Sequence, residues 1–143
     1  MKKYFLLLTM LGSFWLASCS VEPKPIEYGS DACSFCKMTI VDKQHATEIV
    51  TSKGKAFKYD SIECMMRDLK NHKDDDIALF LVTDFVRAGQ WVDAQKATYL
   101  VSENIPSPMG ANLSAFKSRD EAEKVRKEET GELFDWSELR ERF

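Results

Sequence analysis

Apolar residues fall in short runs along the chain, and their spacing alternates between two periods. Cys36, Met38 and Ile40 alternate with Lys37, Thr39 and Val41, and a period of two predicts a strand. Residues 46–51 predict a second strand. Residues 52–55 (Ser-Lys-Gly-Lys) read as a hairpin turn leading into a third strand over 56–59. A helix is predicted next. Asp60 is placed to cap it, and Glu63 three positions on makes a variant of the capping box. Ile62, Met65, Met66 and Leu69 then recur at the spacing of a buried helical stripe. The polar stretch 71–76 ends this helix. Residues 77–82 are an apolar run bounded by charge, which predicts a buried strand.

The second half follows the same order more loosely. Strands are predicted over 97–101 and 113–116, separated by the loop 104–112 with its two prolines and a glycine. Ser118 with Glu121 forms a second capping box, opening a helix that packs Ala122 and Val125 inward. Gly131 is suited to terminate that helix. A closing strand over 133–136 follows, and Ser137 is read as the cap of a last helical turn. The expected fold class is therefore α+β, with two similar strand-strand-helix-strand units packed together, 31–86 and 87–143.

The first 30 residues do not share this pattern. Lys2 and Lys3 precede an apolar stretch running through Phe14, Trp15 and Leu16, then Ala17, Ser18 and Cys19. This is the form of a secretory signal peptide, too short for a structural membrane helix. Small residues ending in a cysteine match the bacterial lipoprotein cleavage pattern. The expected mature chain starts at an acylated Cys19, held at a membrane on the periplasmic or cell-surface side of the envelope. Residues 19–30, with Pro23 and Pro25, read as an extended tether. Losing 18 of 143 residues leaves 125, enough for one domain or two small ones sharing a core. Losing Lys2 and Lys3 moves the net charge from −3 to −5. An acidic chain without a basic run argues against a nucleic-acid partner.

Four cysteines are present, and lipidation would consume Cys19, leaving Cys33, Cys36 and Cys64. Three thiols outside the cytoplasm need an explanation, because thiols there tend to pair. Either Cys33 and Cys36 bridge and Cys64 stays free, or a metal occupies thiolates. On an extended segment, Cys36 and Met38 would present thiolate and thioether to one side, with Cys33 within reach. Soft sulfur donors of this kind select Cu(I). Met109, fixed between Pro108 and Gly110, lies outside any helical stripe and is placed to close over Cys36 and Met38 if the two units face each other. The expected metal ligands are thus Cys36, Met38 and Met109, with Cys33 as an additional donor.

These residues resemble the NosL family of lipoprotein copper chaperones, associated with maturation of nitrous-oxide reductase. The resemblance rests on 16–19 (Leu-Ala-Ser-Cys), 33–38 (Cys-Ser-Phe-Cys-Lys-Met), 57–61 (Phe-Lys-Tyr-Asp-Ser), 108–116 (Pro-Met-Gly-Ala-Asn-Leu-Ser-Ala-Phe) and 131–136 (Gly-Glu-Leu-Phe-Asp-Trp). Lys37 stands where glycine is common in the family. The resemblance implies two ββαβ units, and delivery of Cu(I) to a copper-accepting periplasmic protein or maturation complex. It implies no enzymatic activity. Monomer and dimer are both compatible with the sequence.

Other readings compete. Cys33 and Cys36 could form a thiol-disulfide redox pair, although such pairs normally open a helix after a strand, and here a proline-rich tether precedes them. A zinc site lacks a second Cys-x-x-Cys. Met65 and Met66 are expected as core filling on the helical stripe. Cys64 lies about 200° around that helix from Ile62 and stays outside the proposed ligand set. His45 and His72 are expected at the surface, and residues 74–76 (Asp-Asp-Asp) as a solvated loop. No nucleophile, base and acid constellation is evident.

Overall fold

A computed structural model describes residues 20–143. The expected signal peptide, 1–18, and the expected lipidation site Cys19 lie outside the described residues. The first sheet contains β1 (Thr47–Thr51), β2 (Ala56–Tyr59), β3 (Ile77–Thr83) and β4 (Trp91–Asp93), antiparallel in the order β2-β1-β3-β4. Helix α1 (Ile62–Asp68) connects β2 to β3. The second sheet contains β5 (Thr98–Val101), β6 (Leu113–Phe116) and β7 (Glu132–Phe134) in the order β6-β5-β7, with α2 (Arg119–Glu129) between β6 and β7. Each unit runs strand, strand, helix, strand, and each centres its sheet on its first strand. A closing helix, α3 (Trp136–Arg142), follows. The fold class is α+β. Among the described residues no helix is long and apolar enough to cross a membrane.

The strands expected over 46–51, 56–59, 77–82, 97–101 and 113–116 form, and β1 and β6 are buried on both faces. The hairpin over residues 52–55 is present, pairing Val50 with Ala56. Two elements depart from expectation. Residues 36–41 are not a strand: Cys33 to Met38 fold into a tight turn closed by a single bridge between Ala32 and Thr39. Lys37 takes φ +68° there, a left-handed conformation that costs a side-chain-bearing residue about 1–2 kcal/mol. Glycine adopts it freely, with no such cost. The second departure is β4, a strand the sequence pattern does not predict, which extends the first sheet by pairing with β3.

The caps shift by one or two residues. Ser61, not Asp60, caps α1 and accepts from the Cys64 amide. Asp135, not Ser137, caps α3, and with Glu138 it makes a complete capping box. Ser118 caps α2 as the sequence predicts.

One large core spans both units, joining Ile49, Tyr59, Ile62, Met65 and Val82 to Tyr99, Leu113, Ala115 and Leu139. A smaller cluster of Leu100, Ile105, Phe116 and Ala122 lies under α2. Helix α1 touches β1 and β2 on one side and β6 on the other. Covered from both sides, it buries Glu63 and Cys64 as fully as its apolar stripe.

The expected tether is docked from Lys24 onward. The Lys24 amide donates to the buried Glu48 on β1 at 2.8 Å, and Lys58 on β2 reaches both the Pro25 carbonyl and the Asp31 carboxylate at 2.6 Å. Ile26 and Tyr28 pack against the core.

Candidate metal centre

The turn after the docked strap is built to aim sulfur inward. The Cys33 amide donates to the Met38 carbonyl at 2.8 Å, and the Lys37 amide to the Cys33 carbonyl at 3.0 Å. The Ser34 amide ties the turn to the Lys58 carbonyl on the outer edge of β2 at 2.7 Å. Strand β2 then delivers Asp60, and the first turn of α1 delivers Cys64. The Sγ atoms of Cys33, Cys36 and Cys64 and a carboxylate oxygen of Asp60 all lie within 4.8 Å of one another. All three cysteines carry free thiols.

The three sulfurs are not equivalent. Cys33 is buried, and its sulfur accepts from the Cys64 thiol and from the backbone amides of Asp60, Cys36 and Phe35. The Cys64 hydrogen bond is the main cause that brings the Cys33 thiol down to about 6, against the opposing effect of burial. Cys64, the donor of that bond, is pushed up, first by the bond to Cys33 and then by burial. Cys36 is also raised, chiefly by burial, although the Met38 amide points at its sulfur. It reaches Asp60 Oδ2 at 3.5 Å. Asp60 is 2% exposed, and its Oδ1 has no hydrogen-bond partner among the described residues. The result is three thiols, one of them shifted towards its thiolate, and a buried carboxylate around one point. Such a donor set suits a soft metal ion.

The expected donors are distributed as follows. Cys33 and Cys36 meet in the cluster. Met38 does not share a strand face with Cys36, since the turn replaces the strand, and its side chain is 55% exposed. Met109 is half-buried against the core that contains Cys33 and Cys64. The Met109 loop is clasped to α1 by Glu63. That carboxylate, with no exposed surface, accepts from the Ser107 hydroxyl and from the Ala111 amide at 3.1 Å. The Ser107 hydroxyl oxygen in turn accepts from the Asn112 amide at 2.9 Å. Glu63 therefore fixes a second-unit loop to the residue next to Cys64.

Cys64, Asp60 and Glu63 are the residues that sequence reasoning passed over. Helical periodicity turned Cys64 away from the stripe, but a helix covered on both sides has no solvent face. The unexplained third thiol was the available signal. His45 also departs from expectation. It is buried, with Nδ1 2.8 Å from Asp42 Oδ2 and Nε2 3.1 Å from Ser114 Oγ. Ser114 has no exposed surface, so this chain of contacts is a polar tie between the two units and offers a substrate no approach. His72 lies beside Asp68 at 3.2 Å, and residues 74–76 form an exposed 3-10 turn.

The family model described as NosL matches residues 25–143. A solved structure, the copper chaperone NosL from Shewanella denitrificans, has a similar fold with a TM-score of 0.72 at 19% identity. The match covers 83% of this chain and 96% of that one. No curated protein matches the chain at a significant level.

Proposed function

The chain belongs to the NosL family, and from that premise we propose that it is a lipid-anchored Cu(I) chaperone that delivers copper to a periplasmic cuproenzyme. Family resemblance makes nitrous-oxide reductase the first acceptor to test. The observation that carries the reading is the convergence of Cys33 and Cys36 on one point, with the Cys33 sulfur set among three backbone amides. Preformed N–H donors stabilise a thiolate before metal arrives, so little reorganisation opposes binding. Copper is cargo here, not a resident cofactor. Cys36, Met38 and Met109, with Cys33, would hold it. The exposure of Met38 leaves one side open for a receiving protein.

Anaerobic titration of the reduced mature chain against a competing Cu(I) chelator tests this. We expect one tightly held Cu(I) per monomer, or one per two chains if a dimer shares sulfur ligands. A chain that yields its copper to a weak chelator is not a carrier. Disulfide exchange through Cys33 and Cys36 without metal binding would make it a redox protein instead.

A further inference from the structure

Cys64 and Asp60 have no part in a site made of Cys36, Met38, Met109 and Cys33, yet the fold brings both to it. Cys64 has no exposed surface and Cys33 is 1% exposed, while Met38 is 55% exposed. The thiols of Cys33 and Cys64 thus form the closed part of the cluster, while Cys36 is half-buried and Met38, two residues on, reaches solvent.

We propose that the chain holds copper at two stations that share Cys36: an inner holding station of Cys33, Cys36 and Cys64, and an outer delivery station of Cys36, Met38 and Met109.

The inference rests on the Cu(I) reading and adds an order of events to it. A metal–thiolate bond of about 2.3 Å sets sulfurs held by one ion about 4.0 Å apart in a trigonal site and about 4.6 Å apart in a linear one. The three sulfurs already lie within 4.8 Å of one another, so an ion needs only a small contraction. Asp60, whose carboxylate shares the cluster, also keeps a buried oxygen without a partner, as Glu48 and Glu63 do elsewhere. A buried carboxylate oxygen left without a partner is costly, and a cation beside it removes that cost. Thiolates hold Cu(I) more firmly than neutral thioethers. The inner station is therefore the resting one, and the outer one is the weaker, exposed place from which an acceptor takes the ion.

Movement between stations involves no redox change. The bonds from copper to Cys33 and Cys64 break, bonds to Met38 and Met109 form, and the bond to Cys36 persists. Copper stays in the +1 state. Each thiol that binds the ion gives up its hydrogen to solvent and regains one when the ion leaves it.

X-ray absorption on the Cu(I)-loaded, selenomethionine-labelled mature chain in detergent reads the resting station without any substitution. Methionine ligands then scatter as selenium and cysteine ligands as sulfur. We expect sulfur neighbours only. A copper–selenium neighbour in the resting protein would overturn the proposal. Variants give opposite outcomes. Cys64→Ser should weaken Cu(I) binding at least about tenfold and bring selenium into the copper shell. Met38→Ala should keep the affinity within about threefold but slow transfer to a solution chelator about tenfold or more. If Cys64→Ser retains the parent's affinity and coordination, Cys64 is only a core residue and the inner station does not exist. Circular dichroism checks that each variant is folded. If the parent itself binds no Cu(I), the chaperone reading fails rather than the two-station scheme alone.

Discussion

Cys36 belongs to both proposed ligand sets, so its loss should be felt most. Cys36→Ser is expected to lower Cu(I) affinity more than any other single substitution, by about 100-fold in competition titrations. Met66→Leu is the control: a volume-conserving change on the buried face of α1 should leave both affinity and stability nearly unchanged. Equal affinities for parent and Cys36→Ser would remove the cluster from the copper path. At this scale the sequence was legible where a residue's neighbours are local. Cys33 and Cys36 announce themselves by spacing. Cys64, Asp60 and His45 do not, because what gives them meaning arrives from elsewhere in the chain. Cys64 meets Cys33 across 31 positions of sequence, and His45 meets Ser114 across 69. No periodicity reports a contact of that kind.

Two elements are held by single residues whose removal has a calculable direction. Glu63 is the only side chain shown bonding α1 to the Met109 loop. Glu63→Ala would leave the Ser107 hydroxyl and the Ala111 amide without their acceptor, at a cost of about 2–3 kcal/mol. Urea unfolding should show that loss, and Met109 should become more accessible to mild oxidation. An unchanged midpoint would mean that the loop is held by apolar packing alone. The exit from α2 is the second case. Thr130 and Gly131 both have positive φ, and a Cβ on Gly131 would strike the Val101 carbonyl oxygen on β5. Gly131→Ala should therefore destabilise the second sheet by about 2–3 kcal/mol, read as a lower Tm. Elements were the most legible level of the sequence. The apolar run bounded by charge gave β3, the hairpin signal at 52–55 gave β2, and Ser118 marked the start of α2. The misplaced caps of α1 and α3 come from neighbouring Asp and Ser residues that suit the role equally by type. The turn at 33–38 was hidden because alternating residues in a tight turn look like a strand. Only the positive φ of Lys37 distinguishes them.

At the scale of the whole molecule, two ββαβ units share one core, and α1 is enclosed between them. The repeat of order was legible from the sequence, whereas the joining of β4 to the first sheet was not, since three residues carry too little pattern. Lipid anchoring is a claim at this scale too. Cys19→Ser should release the chain from membranes or leave it as unprocessed precursor, as cell fractionation with a labelled fatty acid would show. Acylation that persists in the variant would refute the lipoprotein assignment.

The docked strap bears on how such an anchored protein meets its partners. Because Lys24 is already fastened to Glu48, only Ser20 to Pro23 lie between Cys19 and the folded body. Four residues span about 14 Å at full extension, roughly half the thickness of the hydrocarbon layer they hang from. With the proposed anchor at Cys19, a body on so short a leash would not roam the compartment. Its search for an acceptor would become a search over an area instead of a volume, and the proposed acceptor would have to come down to the lipid surface to collect copper.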